Sequence, residues 1–371
     1  MGWQCCGMNP LPPPDAESGQ LLPIPDPAES ARLLAAQSAA HAGAPTGASG
    51  AGGDGESATF RSGFVALIGR PNVGKSTLLN QLVGEKVAIT SPVAQTTRNR
   101  LRAILTTPAA QLVLLDTPGI HKPHHLLGER LVKTARSTIG DVDVVLLLVD
   151  GSQPAGRGDG YIVELLRHCR VPVHVALNKH DLVESAQAEA LVDSYRTLLA
   201  GRGDFATPTP PGQAPQPPLE WPLHAVSALT GDGTDTLVTA LSADLPPGPH
   251  LYPADAVSDQ PEQLLMAELI REQVLRHTRE EVPHSVAVSI DRVVDDGPRT
   301  AVLATVLVER SSQKGILIGK GGQMLRTIGA GARLQMEKVF SGPVYLELFV
   351  KVVPGWRRNA ARLAELGYRG D

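Results

Sequence analysis

The sequence predicts an α/β fold: a mostly parallel sheet with helices on both faces, followed by a smaller α+β domain. From Phe64 to about residue 245, short runs of Val, Leu and Ile alternate with helical patterns, which is typical of strands buried on both faces of a parallel sheet. A Pro-rich stretch then precedes a helix, two strands, two helices and a strand. The 371 residues, 42% of them hydrophobic, are enough for two cores.

Composition divides the chain into five segments. Residues 1–60 are rich in Pro, Ala, Gly and Ser, bury too little apolar surface to fold, and are predicted to be a disordered extension. The α/β domain is predicted at 61–245, with a Pro-rich loop insertion at 202–222. A linker at 246–261 leads to the second domain at 262–371.

Cysteine usage and hydropathy indicate a cytoplasmic protein. The three cysteines, Cys5, Cys6 and Cys169, offer neither a disulfide framework nor a C-x-x-C metal site. The sequence has no apolar run of the roughly 18 residues that a membrane span needs. The first residues lack the basic and apolar segments of a secretory signal.

Charge is spread unevenly along the chain. The formal net charge is −4, but residues 310–371 carry eleven Lys and Arg against four acids, a balance of +7 that leaves −11 for the rest. A basic end on an acidic protein favours a polyanionic partner.

Elements of the first domain are predicted from apolar runs for strands and from 3.6-residue periodicity for helices. In order, these are the strand 64–68, a helix from Ser76, the strands 101–107 and 111–117, the helix 126–139, the strand 143–150, the helix 161–169, the strand 171–178, the helix 183–199, the strand 223–227 and the helix 234–245. The insertion 202–222, with seven prolines, interrupts this alternation and is predicted to be a surface loop.

A phosphate-binding P-loop lies between the first strand and the first helix. Residues 69–77 read GRPNVGKST and fit G-x-x-x-x-G-K-[ST]. Two glycines let the backbone curl so that successive N–H groups face one anion, and the helix N-terminus adds its dipole. Lys75 reaches the outer phosphates, and the Ser76 hydroxyl is placed to bind Mg²⁺. We assign the phosphate site to Gly69, Arg70, Pro71, Asn72, Val73, Gly74, Lys75, Ser76 and Thr77.

A second phosphate-side motif follows the strand 111–117. Asp116 is predicted to hold Mg²⁺ through a water molecule, and the Gly119 N–H to meet the γ-phosphate. This D-x-x-G site comprises Asp116, Thr117, Pro118 and Gly119, and Ile120 follows it. Between the first helix and residue 101, the sequence Gln95-Thr96-Thr97-Arg98 is predicted to be a switch, in which Thr97 rather than Thr96 closes on Mg²⁺ and the γ-phosphate.

Two base-recognition motifs follow the next strands. In the N-K-x-D motif, the Asp181 carboxylate can accept two N–H donors of guanine that adenine lacks, which favours GTP over ATP. Asn178 is predicted to bond the base edge, and Lys179 to lie under the ring and support the P-loop. Ser227 and Ala228 offer backbone N–H groups to guanine O6. Because these motifs follow strand ends in order after a P-loop, the first domain is predicted to be a P-loop NTPase with a Ras-like G domain.

The second domain is predicted to be a KH domain. Its elements are the helix 262–281 with Leu265, Leu269, Val274 and Leu275 on one side, the strands 285–294 and 300–309, two helices, the strand 344–353 and the helix 357–366. The sequence Gly319-Lys320-Gly321-Gly322 between two helices fits the GXXG loop that clamps single-stranded nucleic-acid backbone, although a lone GXXG is also found in plain helix-turn-helix connections. Ile318 and Ile328 are predicted to anchor the two helices on the core.

RNA contacts are predicted around this loop. The base-reading groove is placed between Ile316, Ile318 and the strand 301–308. The proposed RNA-binding residues are Ile316, Ile318, Gly319, Lys320, Gly321, Gly322 and Arg326.

Taken together, the motifs G-R-P-N-V-G-K-S-T, Q-T-T-R, D-T-P-G-I, N-K-x-D, S-A and G-K-G-G resemble the Era family of bacterial GTPases, over about residues 64–368. The resemblance implies a GTPase joined to a type II KH domain, with GTP or GDP and Mg²⁺ bound. It also implies a role in maturation of the small (30S) ribosomal subunit through the 3′ end of its rRNA. A monomer that associates peripherally with the inner face of the cell membrane is implied as well.

One residue bears on mechanism. Ras-like proteins carry a Gln after the D-x-x-G motif that orients the attacking water, and Ile120 stands there instead. The family resemblance implies that Asn72 and switch carbonyls hold K⁺ as an activator near the phosphates. The spacing alone is equally consistent with Asn72 being only a turn residue. The proposed catalytic residues are Asn72, Lys75, Thr97 and Gly119, and the proposed metal ligands are Ser76, Thr97 and Asp116.

Two other functions share parts of this pattern. A GTPase partner in tRNA modification would be expected to carry a terminal catalytic Cys and a cofactor domain, whereas the sequence ends in LGYRGD. A GTP-regulated adaptor at a membrane surface would use the basic end for acidic lipid. The glycines at 319–322 favour RNA, since attraction to lipid needs charge but no glycine clamp.

Overall fold

The computed structural model describes residues 59–91, 101–117, 139–202, 217–297 and 299–366. Nearly all of the predicted extension 1–60 lies outside these ranges, as do most of the insertion 202–222 and all but the last residue of the predicted helix 126–139. Residues 58–371 form one compact unit that contains two sheets.

The first sheet has six strands and confirms the predicted α/β class. Its strands are β1 (Arg61–Gly69), β2 (Leu101–Thr106), β3 (Ala110–Asp116), β4 (Val144–Asp150), β5 (Val173–Asn178) and β6 (Leu223–Ala225). Their spatial order is β2-β3-β1-β4-β5-β6, and neighbours run parallel except for the antiparallel pair β2 and β3. Strands β3, β4 and β5 are buried along their whole length, as their continuous apolar runs predict.

Helices cover both faces of this sheet. They are α1 (Lys75–Val83), α2 (Arg157–Leu166), α3 (Ser185–Leu199) and α4 (Thr234–Ala243). Leu78 of α1 and Leu237 of α4 join one core, and Ile162 of α2 and Tyr195 of α3 join the other. Helix α2 begins four residues before its predicted start, because the Asp159 carboxylate accepts the Gly156 N–H and caps the first turn.

The second half of the unit confirms the predicted order of elements. These are α5 (Glu262–His277), α6 (Val282–Ser285), β7 (Ala287–Asp296), β8 (Arg299–Val308), α7 (Ser311–Ile318), α8 (Gln323–Val339), β9 (Val344–Val352) and α9 (Ala360–Glu365). The sheet order is β7-β8-β9, with β7 antiparallel and β9 parallel to β8. The predicted helix 262–281 ends at His277, and the separate turn α6 follows it.

Strand β8 lies in the centre of this sheet, and helices α5, α7 and α8 share a core with it. Leu317 and Ile328 are fully buried there, whereas Ile318 is only half-buried. The prediction that Ile318 anchors α7 is therefore wrong, because the neighbouring Leu317 occupies the inward-facing position of that helical turn.

Helix α5 is buried on more than the predicted side. Its middle section is buried, including Arg271, Glu272 and Gln273, as well as the predicted Leu269, Val274 and Leu275. The reason is that residues before β2 also pack against it: Ile89 belongs to the same core as α5 and the second sheet. A polar face that reads as solvated in the sequence is an internal contact in the fold.

The predicted linker 246–261 is bound along the edge of the first sheet. The buried Gln111 side chain accepts the N–H groups of Leu251 and Tyr252 at 2.7 and 2.9 Å. The Val257 carbonyl accepts the Ile104 N–H of edge strand β2 at 2.9 Å. This connection is therefore held by hydrogen bonds to the GTPase half and is not a free spacer.

Candidate functional site

The P-loop connects β1 to α1, and each of its two glycines is required for a different reason. A Cβ on Gly74 would lie 2.2 Å from Asn178 Nδ2, and Gly74 has φ +98°, so both space and backbone demand glycine. A Cβ on Gly69 would lie 2.4 Å from the Leu148 carbonyl, so Gly69 is needed for close approach to β4 rather than for the predicted curl. Asn72 is exposed with φ +64°, a left-handed conformation that Asn tolerates, which fits a turn residue and leaves the K⁺ role a prediction.

Lys75 begins α1 and is almost fully buried. Its Nζ donates to the Arg70 carbonyl at 3.0 Å and to the Gly69 carbonyl at 3.3 Å. Burial lowers the pKa of Lys75, while the nearby Asp116 carboxylate works in the opposite direction. The ammonium is thus held against the loop, where a polyphosphate would supply the missing negative charge.

Ser76 and Asp116, two of the predicted Mg²⁺ ligands, lie side by side. Ser76 Oγ donates to Asp116 Oδ2 at 2.8 Å, and Asp116 is fully buried. Mg²⁺ takes hydroxyl and carboxylate oxygens, directly or through the waters that it retains, so this oxygen pair fits the ion. Ser76 and Asp116 are the described residues that would hold it.

Other residues of the two phosphate motifs face the protein. Arg70 Nε lies 2.9 Å from Asp159 Oδ1 on α2, so its side chain ties the loop to that helix. Thr117 is fully buried and donates to the Leu67 carbonyl at 2.7 Å. Val73 is buried, and Pro71 and Thr77 are half-buried. Arg70 and Thr117 therefore shape the site through the scaffold and are not aimed at a phosphate by their side chains.

Asn178 connects the phosphate side to the base side. Its Nδ2 donates to the Val73 carbonyl at 2.8 Å, and its Oδ1 accepts the Ala228 N–H at 2.8 Å. The residue is 2% exposed, and the second N–H of Nδ2 is the donor that could reach a base, so the predicted bond to the base edge stays a prediction. The side chain is a brace between two loops.

Asp181 and Lys179 lie at the open side of the site. Asp181 is exposed, and its Oδ1 accepts the Ser227 hydroxyl at 2.6 Å, which orients the carboxylate. Lys179 has φ +65°, and its Nζ donates to Asp150 Oδ2 at 2.6 Å. The predicted roles of Asp181 at the guanine edge and of Lys179 under the ring stay predictions.

Asp150 was missed by the sequence reasoning. Burial alone would raise its pKa, but hydrogen bonds from Lys179 and Ser152 outweigh burial and lower the pKa of Asp150. It ends β4 beside Asn178, which ends β5, at the edge of the sheet where ligands bind. That position at a strand end was the signal in the sequence.

The backbone of the last motif differs from the prediction. The Ser227 N–H donates to the Asp232 carbonyl at 2.9 Å, and the Ala228 N–H donates to Asn178. Both donors therefore have protein acceptors, and this geometry does not offer them to guanine O6. Their role is to fix the loop that presents Asp181.

Part of the predicted site lies outside the described residues. These positions are Thr97, Pro118, Gly119 and Ile120. Their roles toward Mg²⁺, the γ-phosphate and the attacking water stay predictions.

The GXXG loop joins α7 to α8, and its positions require glycine for two different reasons. A Cβ on Gly319, at φ +70°, would lie 2.7 Å from Met324 Cβ, so a side chain cannot fit. Gly321 and Gly322 have open space but positive φ values of +59° and +77°. Arg326 donates to the Gly321 carbonyl at 2.8 Å, and Lys320 is exposed. The loop is a glycine-lined surface beside two cations.

A groove of about 510 Å³ runs from this loop between α8 and β9. It is lined by Gly322, Leu325, Arg326, Gly329, Ala330, Arg333, Leu346, Glu347 and Leu348. The predicted wall, strand 301–308, is wrong, because no residue of β8 lines the groove. β8 is paired on both edges, whereas β9 has one edge with no partner strand among the described residues. Of the predicted apolar contacts, Ile316 is 52% exposed and Ile318 is half-buried, and neither lines this groove.

Comparison with known families matches both halves. A family model described as 50S ribosome-binding GTPase matches residues 64–179, and one described as KH domain matches residues 281–357. In the described ranges, no helix combines the length and apolarity of a membrane span.

The chain is similar to full-length bacterial proteins. GTPase Era of Synechocystis sp. is 56% identical over 312 residues, 84% of this chain and 94% of that protein. GTPase Era of Nostoc sp. is 56% identical over 310 residues, covering 84% and 90%.

Two solved structures are similar to this chain, and both cover the same share of it. A crystal structure of Era in complex with MgGDPNP and nucleotides 1506–1542 of 16S ribosomal RNA has a TM-score of 0.76, 37% identity and coverage of 83% of this chain and 99% of that one. An Aquifex aeolicus Era variant bound to GDP·AlF4⁻ has a TM-score of 0.73 and 36% identity, with coverage of 83% and 99%.

Proposed function

The chain belongs to the GTPase Era family, since a relative 56% identical matches 84% of it, and on this premise we propose that it assists assembly of the small ribosomal subunit as a GTP-dependent RNA-binding factor. The chain binds GTP and hydrolyses it to GDP and phosphate. The observation that carries the proposal is the groove between α8 and β9, which begins at the GXXG loop and lies in the same compact unit as the nucleotide site.

The nucleotide half supplies positioning and charge. The P-loop backbone cradles the phosphates at the start of α1, and the Lys75 ammonium meets their negative charge. When bound, Mg²⁺ neutralises charge that develops on the phosphates. Asp181, oriented by Ser227, selects guanine because a base without the paired donors would leave the carboxylate unsatisfied.

The RNA half supplies a clamp. Gly319, Gly321 and Gly322 let a sugar-phosphate backbone approach the main chain closely, and Lys320 and Arg326 add charge. The free edge of β9 presents backbone donors and acceptors to bases lying in the groove. The 16S rRNA in the similar complex favours the 3′ end of small-subunit rRNA as the target.

Three further properties belong to the proposal. K⁺ activates hydrolysis through Asn72, because Ile120 cannot orient water. The protein acts as a monomer in the cytoplasm and associates peripherally with the inner face of the cell membrane. Sedimentation, and flotation with vesicles that contain acidic lipids, test the last two properties.

The central test is RNA affinity as a function of nucleotide. The full chain should bind single-stranded RNA from the 3′ end of 16S rRNA more tightly with a non-hydrolysable GTP analogue than with GDP. An RNA of equal length and scrambled sequence is the control. Equal affinity for both RNAs, or no effect of the nucleotide, contradicts the proposal.

A further inference from the structure

A buried carboxylate of the RNA-binding half holds the chain just before the predicted switch. Glu272, on α5, has no exposed surface. Its Oε2 accepts Lys86 Nζ at 2.5 Å, and its Oε1 accepts the Thr90 N–H at 3.1 Å and the Thr90 hydroxyl at 3.3 Å. Both partners belong to the segment between α1 and the predicted switch residue Thr97.

The contacts keep Glu272 ionised. Burial by itself would raise the pKa of Glu272, but the Lys86 ammonium, the Thr90 N–H and the Arg276 guanidinium outweigh it and lower that pKa. A buried ionised group that loses a partner is costly, so the carboxylate holds Lys86 and Thr90 in a fixed geometry.

The same segment is fixed from its other side by α1. The Asn80 side chain accepts the N–H groups of Val87 and Ala88 at 3.1 and 2.9 Å and donates to the Ala88 carbonyl at 2.8 Å. Ile89 is 4% exposed within the core shared by α5 and the second sheet. Residues 86–90 are therefore clamped between the P-loop helix and the RNA-binding half.

The chain that returns from the predicted switch is held by the linker. Arg102 of β2 forms an ion pair with Asp259 at 2.8 Å, and its carbonyl accepts the Ser258 hydroxyl at 2.9 Å. The Ile104 N–H donates to the Val257 carbonyl. Both flanks of residues 92–100 thus contact residues that follow the GTPase half.

We infer that Glu272 is a positioning residue for GTP hydrolysis, acting through Lys86 and Thr90 on the flank of the switch, with Asp259 holding the opposite flank through Arg102. Glu272 lies outside the phosphate, metal and base motifs. Its effect is to fix residues 86–90 against α1, next to the predicted switch. A small displacement of a group that is predicted to contact the reacting phosphate would slow the chemical step.

The other side of α5 connects to the RNA groove. A Cβ on Gly331 of α8 would lie 2.4 Å from Gln273 Oε1, so α5 and α8 are in close contact one residue away from Glu272. Since α8 starts at the GXXG loop, an RNA that displaces α8 also acts on Glu272. This RNA arm rests on the proposed function, whereas the hydrolysis arm rests on the GTPase activity and on the predicted role of Thr97.

The primary test is Lys86→Gln, with Arg276→Gln as its matched control. Lys86 is 29% exposed, so its variant should fold. Arg276 contacts the same Glu272 carboxylate at 3.0 Å but belongs to α5 itself, so it does not connect α5 to the segment before the switch. We expect Lys86→Gln to lower kcat about tenfold. Its KM for GTP and its GDP affinity should stay within about twofold of the parent. In Arg276→Gln, kcat, the KM for GTP and the GDP affinity should all stay within about twofold of the parent.

A merely structural role gives a different result. In that case Lys86→Gln either lowers thermal stability and GDP affinity together or leaves kcat unchanged. Either outcome overturns the inference. Glu272→Gln should reproduce the loss in kcat, with GDP affinity as its folding control, and Asp259→Asn should lower kcat through the other flank.

The RNA arm uses single-stranded RNA from the 3′ end of 16S rRNA. The ratio of its affinities with GTP analogue and with GDP should fall toward one in Lys86→Gln and keep the parental value in Arg276→Gln. If the parent binds this RNA with the same affinity in both states, the proposed function fails while the hydrolysis arm stands. If the parent ratio survives in Lys86→Gln, the connection through α5 is wrong.

Discussion

The Nδ2 atom of Asn178 donates a hydrogen bond to the backbone carbonyl of Val73, 105 residues earlier in the chain, at 2.8 Å. The N-K-x-D motif therefore supports the P-loop physically, in addition to lying at the base side. With Oδ1 occupied by the Ala228 N–H, one side chain fixes the relative positions of the phosphate loop and two base-side loops.

The brace predicts a combined loss of stability and affinity. Asn178→Ala leaves a buried carbonyl and a buried N–H without partners, so we expect a decrease of about 2–4 kcal/mol in the free energy of unfolding. GDP affinity should fall at least as strongly as GTP affinity, because the loops are misplaced for both. Denaturant unfolding and nucleotide titration measure these effects.

A matched control for this variant is Asn359→Ala. Asn359 accepts the N–H groups of Ala361 and Arg362 as the cap of α9, and its loss should cost about 1 kcal/mol and leave nucleotide binding unchanged. If Asn178→Ala binds GDP like the parent, the bracing role is wrong.

Guanine selection depends on Asp181. We expect Asp181→Asn to weaken GTP binding and shift preference toward xanthosine triphosphate, because an amide donates to the xanthine O2 where the carboxylate accepts from guanine. The Ser227 hydroxyl can bond an amide oxygen as well, so the loop should persist. Competition binding with GTP and xanthosine triphosphate measures the shift, and an unchanged GTP affinity contradicts the assignment.

Hydrolysis should be faster in K⁺ than in Na⁺ at equal ionic strength, and the difference should disappear when the Asn72 side chain is removed. Since Asn72 has φ +64°, Ala would add backbone strain of about 1 kcal/mol, and Asn72→Gly removes the amide without it. Turnover in the two salts is the measurement. Equal rates for the parent, or a K⁺ effect that survives in Asn72→Gly, removes the K⁺ proposal without affecting the fold.

Lys75 predicts proton uptake on nucleotide binding. Burial lowers its pKa below the ordinary 10.5 in the nucleotide-free protein, and phosphate charge should raise it again. Between the lowered pKa and 10.5 the unfolded chain binds more protons, so the stability of the nucleotide-free protein should rise with pH in that window.

Calorimetric titration with GDP in buffers of different ionisation enthalpy measures the uptake, which should grow toward alkaline pH. Lys75→Arg is the control, since a guanidinium stays protonated throughout. Binding enthalpies that are independent of the buffer over the alkaline range contradict the expectation.

The sequence was sufficient to predict an element or a site residue where a single segment contains the whole pattern. Strands β3 to β5 are predicted by their own apolar runs, and Lys75, Ser76 and Asp116 by motifs at strand ends. It was insufficient where a residue acts through a distant partner. Glu272 reads as a solvated position because its donors, Lys86 and Thr90, lie more than 180 residues away.

The groove shows the same limit. Strand β8 was expected to line it, but β8 is paired on both edges, and residues of β9 line the groove instead. Which strand has a free edge is a property of the assembled sheet and is not encoded in the composition of either strand.

The GXXG loop predicts a loss of RNA binding that is separable from GTP binding. Lys320→Asp with Gly321→Asp places two negative charges where a phosphate backbone would lie. A side chain at Gly321 meets open space, and Asp tolerates its φ of +59°, so the loop should keep its shape. We expect binding of single-stranded RNA to be abolished and GTP affinity to be unchanged.

A control with the same charge change and the same backbone demand is Lys351→Asp with Gly297→Asp. Lys351 is exposed on β9, and Gly297 has φ +62° with open space around it, and neither lines the groove.

The RNA affinity should be measured over a salt series. Because Lys and Arg release counterions from phosphate, the RNA affinity of the parent should fall as salt rises. Preference for the 16S 3′ sequence should persist at high salt, since bases in the groove are recognised by β9. If the loop variant binds this RNA as tightly as the control variant does, the groove is not the RNA site, and binding of the basic end to acidic lipid becomes the better explanation of its charge.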